Sequence, residues 1–544
     1  MDAKGVLSGR SVARDALASP SQSSAAACAA RSSQAEEGLL LVQVDGLSFD
    51  HLRAGLDRGL MPNLSRALEK GTLSLEPFRS GLPSHTGVVE AGVLYGRSVL
   101  PSNQWLDKKT GLVSNVTGSY SADEIVDGFI ADGAHGLIEG GSAYLSPLSG
   151  NAARCSLTLD EVSRARRTGG KLAVAGGIAL DLGRLALHLA AHPIQAVQTA
   201  GRFSAELVRG VFERKRNDIP QGFLQDRLKP ALWSALQNTV LTDAATRAMA
   251  TRMRKGDPAI FVDLPGFDDL SHALGPEPPM RQLRIIDHDL GVLMHAAERS
   301  HRPYNLVVYS DHGETACVRF SERYGQSLGA WVKSLITPAS SGAMTSANEG
   351  GEQEPGLPST HPSDVEDGFC VTTLDFGPGA HLYFHASEAA LDRAEVEGFY
   401  PGLIDKIVAH PAIGFVVARD GSATDIIGAR GSVRIDGGAV TVRGENPLSA
   451  YGGGDVEALQ LHDQAHRKGA GDLEVFGAIV GDKVVNFSLH PQQGTHGGIG
   501  NTQNEAFVIQ PSGMGLDLRG VTQGSGLYDQ LRPHLPSDSP AALP

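Results

Sequence analysis

The sequence predicts an α/β fold with a central, mostly parallel sheet, helices on both faces of that sheet, and a helical insertion. Three apolar runs support this prediction, at residues 38–44, 259–264 and 305–309. Continuous apolar runs of this length are typical of parallel strands buried on both faces. Polar residues follow each run, and in open α/β sheets the ligand crevice lies outside the carboxyl ends of the strands. We therefore expect the segments after these strands to meet at one edge of the sheet.

The amino-acid composition of the chain disfavours some classes of function. The chain has 544 residues, of which 41% are hydrophobic and 20% charged, so it can bury a large core. Its 47 basic and 61 acidic residues give a net charge of -14, which disfavours a general nucleic-acid binder because phosphate backbones are held by clustered Lys and Arg. The four cysteines lie far apart without a Cys-x-x-Cys pair. This spacing indicates neither a disulfide framework nor a thiolate zinc site, and it favours a reducing cytoplasm.

The predicted organisation is one catalytic domain, residues 38–530, with insertions. Residues 1–37 lack the apolar segment of a secretory signal and are expected to form a disordered tail, as are residues 531–544. Residues 157–254 show helical periodicity and form the predicted insertion. Residues 338–364 have few large apolar side chains and are expected to form a mobile surface loop.

The most membrane-like segment begins at Lys171. Charged residues, including Asp181 and Arg184, interrupt it well short of the roughly 20 apolar residues that span a bilayer. We expect no transmembrane helix and interpret the segment as a buried or partner-facing amphipathic helix. Peripheral membrane contact is an alternative.

Five short segments supply side chains that bind divalent metals. Carboxylate oxygens and imidazole nitrogens are suitable ligands, and there are enough of them for two ions. Two cations about 3.5–4 Å apart are typical of hydrolases that attack phosphoryl groups. The candidate metal ligands are Asp45, Thr86, Asp268, His272, Asp311, His312 and His496.

Each candidate also has a less specific interpretation. Asp268 and His272 are four residues apart, so one helical face can present both to an ion, but a surface ion pair has the same spacing. Asp311 and His312 directly follow a predicted strand, where a buried pair needs either a metal or a mutual hydrogen bond. His496 lies in a Gly-rich loop, where a lone His is ordinarily exposed.

Thr86 is the candidate nucleophile. A Thr hydroxyl is a poor nucleophile at neutral pH unless a base or a metal lowers its pKa. The sequence after Thr86 could start a helix whose first N–H groups face a phosphate. The alternative role for Thr86 is a simple N-cap, and Ser80 and Ser84 on the same loop are rival nucleophiles.

The order of these motifs resembles the alkaline phosphatase superfamily, specifically its type I phosphodiesterase/nucleotide pyrophosphatase branch. The motifs are Val-Asp-Gly, Pro-Ser-x-Thr, Asp-x-x-x-His-x-x-Gly-Pro, Ser-Asp-His-Gly and Gly-Thr-His-Gly, and the resemblance spans residues 38–510. It implies an alkaline-phosphatase-like fold. It further implies one metal held by Asp268, His272 and His496, and a second held by Asp45, Thr86, Asp311 and His312.

The resemblance also implies a mechanism and a substrate class. Thr86 would attack phosphorus, and water would then hydrolyse the phosphothreonine intermediate. Asn103 would hold a nonbridging phosphoryl oxygen, although its position after Pro101-Ser102 also suits a turn. The cations would be zinc, with manganese or iron as alternatives, and the substrate a small phosphate ester or nucleotide. One departure is that the stretch between Thr86 and Gly92 is about one helical turn shorter than in the family.

Other functions stay open at this stage. A sulfatase is disfavoured because none of the four cysteines lies in a Cys-x-Pro-x-Arg context. A phosphomonoesterase or a phosphonate hydrolase would use the same ligands. The chain could also be an inactive scaffold that keeps its metals for stability. The sequence does not indicate an oligomeric state.

Overall fold

The computed structural model describes residues 36–118, 121–191, 193–213, 223–336, 349–350, 371–500 and 502–542. Residues 37–544 form one compact unit. Its strands are β1 (Gly38–Val44), β2 (Leu73–Arg79), β3 (Gln104–Asp107), β4 (Leu112–Asn115), β5 (Ser142–Tyr144), β6 (Arg154–Ser156), β7 (Ala259–Leu264), β8 (Tyr304–Tyr309), β9 (Thr315–Arg319), β10 (Glu349–Gly350), β11 (Val371–Asp375), β12 (Gly379–Phe384), β13 (Ile413–Asp420), β14 (Ala423–Gly428), β15 (Gly431–Asp436), β16 (Ala439–Gly444), β17 (Leu473–Gly477), β18 (Ile479–Val480), β19 (Lys483–Asn486), β20 (Gly494–Thr495) and β21 (Glu505–Pro511).

Helices connect these strands. The α-helices are α1 (Phe49–Asp57), α2 (Pro62–Glu69), α3 (Thr86–Tyr95), α4 (Ala122–Ala131), α5 (Leu159–Ala191), α6 (Pro193–Glu213), α7 (Lys229–Ala235), α8 (Thr242–Lys255), α9 (Gly266–Leu274), α10 (Leu283–Glu298), α11 (Phe320–Tyr324), α12 (Leu328–Ile336), α13 (Arg393–Phe399), α14 (Leu403–Val408), α15 (Asp455–Ala465) and α16 (Gly524–Leu531). Short π-helical segments span Leu224–Leu228 and Leu236–Leu241, and 3-10 turns span Pro278–Gln282, Ser449–Tyr451, Arg532–His534 and Pro540–Ala542.

The central sheet has the strand order β2-β21-β8-β1-β7-β5-β6. Strand β1 pairs in parallel with both β7 and β8, and β5 pairs in parallel with β7 and β6. Only β21 pairs antiparallel, with β2 and β8. The predicted mostly parallel sheet is therefore confirmed, and the three predicted strands are its centre.

Both faces of this sheet are covered by helices. Leu39 and Leu41 of β1 belong to a core that also contains Val89 of α3 and Leu527 of α16. The intervening β1 residues pack on the opposite side, against residues of α1, α2, α8 and α10. Successive side chains of a strand point to opposite faces, so a strand that is almost entirely apolar, such as β1, buries both faces. The predicted α/β class with helices on both faces is confirmed.

A second large sheet was not predicted. It has the strand order β10-β11-β12-β17-β13-β14-β15-β16, and every pairing except that of β10 with β11 is antiparallel. Its two faces pack on separate apolar cores, one with α12, α13 and α14 and the other with α15. A smaller mixed sheet, β18-β19-β9-β20, contains the strand β20 that precedes His496.

The region predicted as a helical insertion contains the helices α5 to α8 and two π-helical segments. Gly170 adopts a φ of 66° inside α5, so the regular helix is interrupted there. No helix in the described ranges is both long and apolar enough to span a bilayer.

The predicted N-terminal tail and mobile loop lie mostly outside the described residues, whereas most of the predicted C-terminal tail is described. Most of the predicted N-terminal tail, residues 1–35, and nearly all of the predicted loop 338–364 lie outside the described residues; within that loop, Glu349–Gly350 forms β10. Residues 531–542 differ from the expected disordered tail, because they form two 3-10 turns and bury Leu535 and Ala541 against the central core. Small apolar side chains with a docking surface are sufficient to order a chain end.

Candidate metal centre

Three neighbouring parallel strands bring five of the predicted ligands to one sheet edge. Asp45 follows β1, and Asp311 and His312 follow Ser310 at the end of β8. Strand β7 leads into α9, which carries Asp268 and His272. Because β1 lies between β7 and β8 and is parallel to both, all three carboxyl ends meet at the same edge, as expected for a ligand crevice.

The first group of ligands, the Asp45 cluster, consists of Asp45, Asp311 and His312. The Nε2 atom of His312 lies 3.3 Å from Asp45 Oδ1 and 3.2 Å from Asp311 Oδ2. All three side chains are buried. The Thr86 hydroxyl lies 3.2 Å from His312 Nε2 and 3.4 Å from Asp45 Oδ1. The candidate nucleophile therefore touches this cluster directly.

The conformation and surroundings of Gly46 explain why the Val-Asp-Gly motif has a glycine after Asp45. Its φ is 72°, and a Cβ at this position would lie 2.8 Å from the Cβ of Asp268. Its backbone N–H donates a hydrogen bond to Asp311 Oδ1 at 3.2 Å. Only glycine combines this left-handed conformation with such a close approach, so the turn after Asp45 lets two strand ends and α9 meet.

The second group, the Asp268 cluster, consists of Asp268, His272, Glu314 and His496. His272 Nε2 lies 3.4 Å from Asp268 Oδ2 and 3.8 Å from Glu314 Oε1. His496 Nε2 lies 3.8 Å from Asp268 Oδ1. The structure thus brings together the three residues that the family resemblance assigns to one metal, and adds a carboxylate.

The two clusters are adjacent. The imidazole rings of His312 and His496 are stacked, with centroids 3.7 Å apart and an interplanar angle of 7°. One side chain from each cluster is therefore in direct contact with the other cluster. Thr86, Asp45, Asp268 and His272 all line the same cavity, so a substrate in that cavity would reach both clusters.

The histidines are oriented as metal ligands. The Nδ1 atoms of His272, His312 and His496 lie 3.1, 3.3 and 2.9 Å from backbone carbonyl oxygens. A carbonyl can only accept a hydrogen bond, so each Nδ1 carries the proton. Each Nε2 then presents a free lone pair to its cluster. Such carbonyl partners are typical of metal-binding histidines.

Burial and neighbouring charges shift the pKa values of three residues of the clusters. Burial, followed by the charge of Asp311, raises the pKa of Asp45 well above its usual range. Burial, followed by the charge of Asp268, likewise raises the pKa of Glu314. Burial lowers the pKa of His496, and the neighbouring His312 lowers it further. Each of these shifts favours the neutral form of the group, as expected for ionisable groups buried beside like charges.

The residues present fit divalent cations. Oδ1 of Asp268, Oδ2 of Asp311 and both carboxylate oxygens of Glu314 are buried and accept no hydrogen bond within the described part of the chain. No Lys or Arg among the described residues pairs with them. A buried carboxylate needs a proton or a cation. Carboxylate oxygens mixed with imidazole nitrogens are ligands of zinc, manganese and iron.

The sequence matches the type I phosphodiesterase/nucleotide pyrophosphatase family over residues 39–350, which is more than half of the chain. The chain belongs to this family. It is accordingly a hydrolase that acts on phosphoric ester bonds, and the predicted resemblance is confirmed. The matched range contains every candidate ligand of both clusters except His496, which the structure brings to the Asp268 cluster. No curated protein matches the sequence.

Several solved structures are similar to this member of the family. Phosphonoacetate hydrolase from Sinorhizobium meliloti 1021, in complex with phosphonoformate, is 14% identical, with 92% of this chain and 96% of that chain covered and a TM-score of 0.43. Murine ectonucleotide pyrophosphatase/phosphodiesterase 5 is 12% identical, with 91% and 94% covered and a TM-score of 0.44. Wild-type alkaline phosphatase PafA is 11% identical, with 87% and 91% covered and a TM-score of 0.44. These similarities are too weak to transfer function.

The three candidate nucleophiles of this family member have different surroundings. Thr86 is the first residue of α3 and contacts the Asp45 cluster. The Ser84 hydroxyl instead donates to the carbonyl of Gly498 and accepts from the N–H of Gly497, both at 3.2 Å. It therefore holds the loop that carries His496. The Ser80 hydroxyl is buried without a hydrogen bond within the described residues, and neither serine hydroxyl makes a described hydrogen bond to a side chain of either cluster.

Asn103 lies beside the start of α3. Its Oδ1 is 3.2 Å from the position that a Cβ on Gly87 would take, and Val116 is closer still, at 2.4 Å. The same side-chain oxygen is buried and unbonded within the described residues. A glycine directly after Thr86 therefore lets the amide approach the first turn of the helix, next to the candidate nucleophile.

Two residues of the site were missed by sequence reasoning. Glu314 directly follows the Ser-Asp-His-Gly motif, and its position after that motif was the available signal. His85 directly precedes Thr86, and its ring centroid lies 5.1 Å from that of His496. Burial lowers the pKa of His85 to about 3, with smaller effects from His312 and other histidines, so this ring is neutral and packs behind the Asp268 cluster.

Proposed function

We propose that this chain is a phosphodiesterase in which Thr86 is the nucleophile and two divalent cations, zinc in the first instance, complete the site. The supporting observation is the contact of the Thr86 hydroxyl with the Asp45 cluster, beside a second cluster of metal-ligand character. Thr86 is thus the hydroxyl that a substrate in the cavity would meet at both clusters.

In this proposal each cluster holds one cation. The Asp45 cluster would act together with the Thr86 hydroxyl. In the Asp268 cluster, Glu314 would be a further oxygen ligand beyond the three that the sequence indicated. When bound, two such cations neutralise charge on the phosphoryl group and lower the pKa of a coordinated hydroxyl. Manganese and iron fit the same mixed donors.

The remaining roles in the reaction belong to residues of the chain. The Thr86 oxygen forms a bond to phosphorus while the bond from phosphorus to the leaving oxygen breaks. The Asn103 amide would donate to a nonbridging oxygen, where a fixed donor favours the developing charge. Thr86 begins α3, so the free N–H groups and positive end of that helix favour the phosphoryl group. Water then cleaves the phosphothreonine bond and restores the hydroxyl.

The cavity favours a diester over a monoester. It has a volume of about 840 Å³ and extends well beyond the two clusters. A monoester requires space for one organic group, whereas a diester places a second organic group beside the site. Cavities of this size are typical of sites that enclose a whole small molecule.

The test compares metal content and turnover in two variants. On metal-replete protein, bis-p-nitrophenyl phosphate should be hydrolysed with a higher kcat/KM than p-nitrophenyl phosphate, and a chelator should abolish both activities. Thr86→Ala should keep two metal ions per chain and lose turnover by about 10³-fold or more. Ser84→Ala is the matched control and should keep turnover within about tenfold.

Four results would contradict the proposal. They are full activity in Thr86→Ala, loss of activity only in Ser84→Ala, a preference for the monoester, and no hydrolysis of any ester by a metal-loaded protein. The last is the result expected of an inactive scaffold. The domain limits 38–530, the insertion 157–254 and the cytoplasmic location stay predictions.

A further inference from the structure

The cavity beside the two clusters has walls of different chemistry. One wall is the ligand side, with Asp45, Thr86, Asp268 and His272. The rest of the lining is largely apolar and comes partly from the insertion. Its apolar residues include Leu145, Pro147, Leu157, Val162, Trp233 and Leu241.

The insertion contributes to this lining through α7 and the π-helical segment that follows it. Trp233 belongs to α7 and remains half-exposed, and Leu241 ends the π-helical segment. Leu157, Leu159 and Val162, at or just before the start of α5, also line the cavity. Residues of the predicted insertion thus line the same cavity as the ligand clusters.

Among the described residues, the ionisable groups that line the cavity are carboxyl groups and the imidazoles of His272 and His490. No Lys or Arg among the described residues lines it. Outside the two clusters, the lining carboxyl groups are Asp263 and Asp269, and Asp269 accepts hydrogen bonds from Ser234 and Asn238. A second anionic group on a substrate would lose its water without gaining a Lys or Arg partner among these lining residues, which is costly in a partly enclosed site.

We propose that this cavity binds the second ester group of a phosphodiester and selects a group that is uncharged and largely apolar, such as an alkyl or aryl alcohol. This inference rests on the proposed function. It excludes substrates that carry further phosphates beyond the one that reacts, because those phosphates would face an acidic and apolar wall. Apolar walls with few polar groups are typical of small-molecule sites.

The test uses two esters that share one leaving group. Hexyl p-nitrophenyl phosphate and 5-carboxypentyl p-nitrophenyl phosphate have chains of equal length, which end in a methyl group and a carboxylate respectively. The wild-type enzyme should prefer the hexyl ester by at least about tenfold in kcat/KM. Trp233→Lys places a cation in the apolar wall and should reduce this ratio by about tenfold.

A matched control lies on the same insertion. Phe212 of α6 is exposed and does not line the cavity, so Phe212→Lys adds the same charge elsewhere and should leave the ratio unchanged. Equal rates for the two esters, a preference for the carboxylate ester, or an unchanged ratio in Trp233→Lys would overturn the inference and leave the phosphodiesterase proposal standing. Hydrolysis of neither ester by metal-loaded protein would instead contradict the proposed function.

Discussion

The Asp45 cluster and the Asp268 cluster share one edge of the central sheet but differ in their access to the cavity. The Asp45 cluster is closed, with Asp311 and His312 fully buried. In the Asp268 cluster, the side chains of Asp268 and His272 keep 15% and 25% of their surface exposed. Each cluster has two carboxylates, but the closed cluster contacts the candidate nucleophile Thr86, whereas the open cluster has one more imidazole. In the proposed mechanism, the first cluster would activate Thr86 and the second would face the leaving group.

The largest effect is expected from breaking the closed cluster. The Asp311 carboxylate lies 3.2 Å from His312 Nε2 and accepts a hydrogen bond from the N–H of Gly46. Asp311→Asn removes its negative charge. We expect the loss of one of two metal ions per chain and a fall in kcat/KM on the order of 10³-fold. Metal analysis by mass spectrometry together with steady-state kinetics measures both quantities. Retention of two ions and of activity would show that this carboxylate is not a ligand.

A smaller effect is expected in the open cluster. Glu314→Gln keeps the shape of the side chain but removes its charge, so the affinity of the Asp268 cluster for its cation should fall on the order of 10–100-fold. Titration calorimetry with zinc and with manganese measures this affinity directly. Asp289→Asn is the control, because Asp289 is a buried carboxyl on α10 outside both clusters. Equal affinities in the wild type and Glu314→Gln would exclude Glu314 as a ligand.

The closed cluster could be predicted because its residues follow strands. Asp45, Asp311 and His312 stand directly after apolar runs, and parallel strands place such residues together regardless of their distance along the chain. Thr86 could be proposed from the same chemistry, but the choice between Thr86 and Ser84 needed the contacts of both hydroxyls. A local motif contains no information about which neighbour each hydroxyl meets.

The open cluster was predicted incompletely for a physical reason. A Glu after a short polar motif is ordinarily solvated, and Glu314 is buried by residues distant in the sequence, including His272 and Gly494. The eight-stranded sheet escaped prediction because its pairing is long-range. Strand β12 pairs with β17, about ninety residues later, and no short pattern reports such a partner.

The smallest effect concerns a buried carboxyl without metal ligands around it. Burial, followed by the charge of Asp243, raises the pKa of Asp289 to about 7. The folded state then binds this proton more tightly than the unfolded state, so its contribution to stability is complete below about pH 4 and is lost as pH rises to about 7. Asp289→Asn should therefore raise the melting temperature by about 2–4 °C at pH 8 and change it little at pH 4.

The control for this comparison is the same measurement on Asp289→Glu, which keeps an ionisable group at that position and should keep the loss of stability on raising the pH. A melting temperature of Asp289→Asn that equals the wild type at pH 8 would contradict the assignment of a raised pKa. Calorimetric scans at both pH values distinguish the outcomes.

The stereochemical course at phosphorus tests the two-step account most directly. The enzyme would hydrolyse one diastereomer of a p-nitrophenyl phosphorothioate diester in isotopically labelled water, and the configuration of the product would be determined. Each in-line displacement inverts phosphorus, so attack by Thr86 followed by attack by water should give net retention. Net inversion would mean that water attacks the substrate directly and that Thr86 is not the nucleophile.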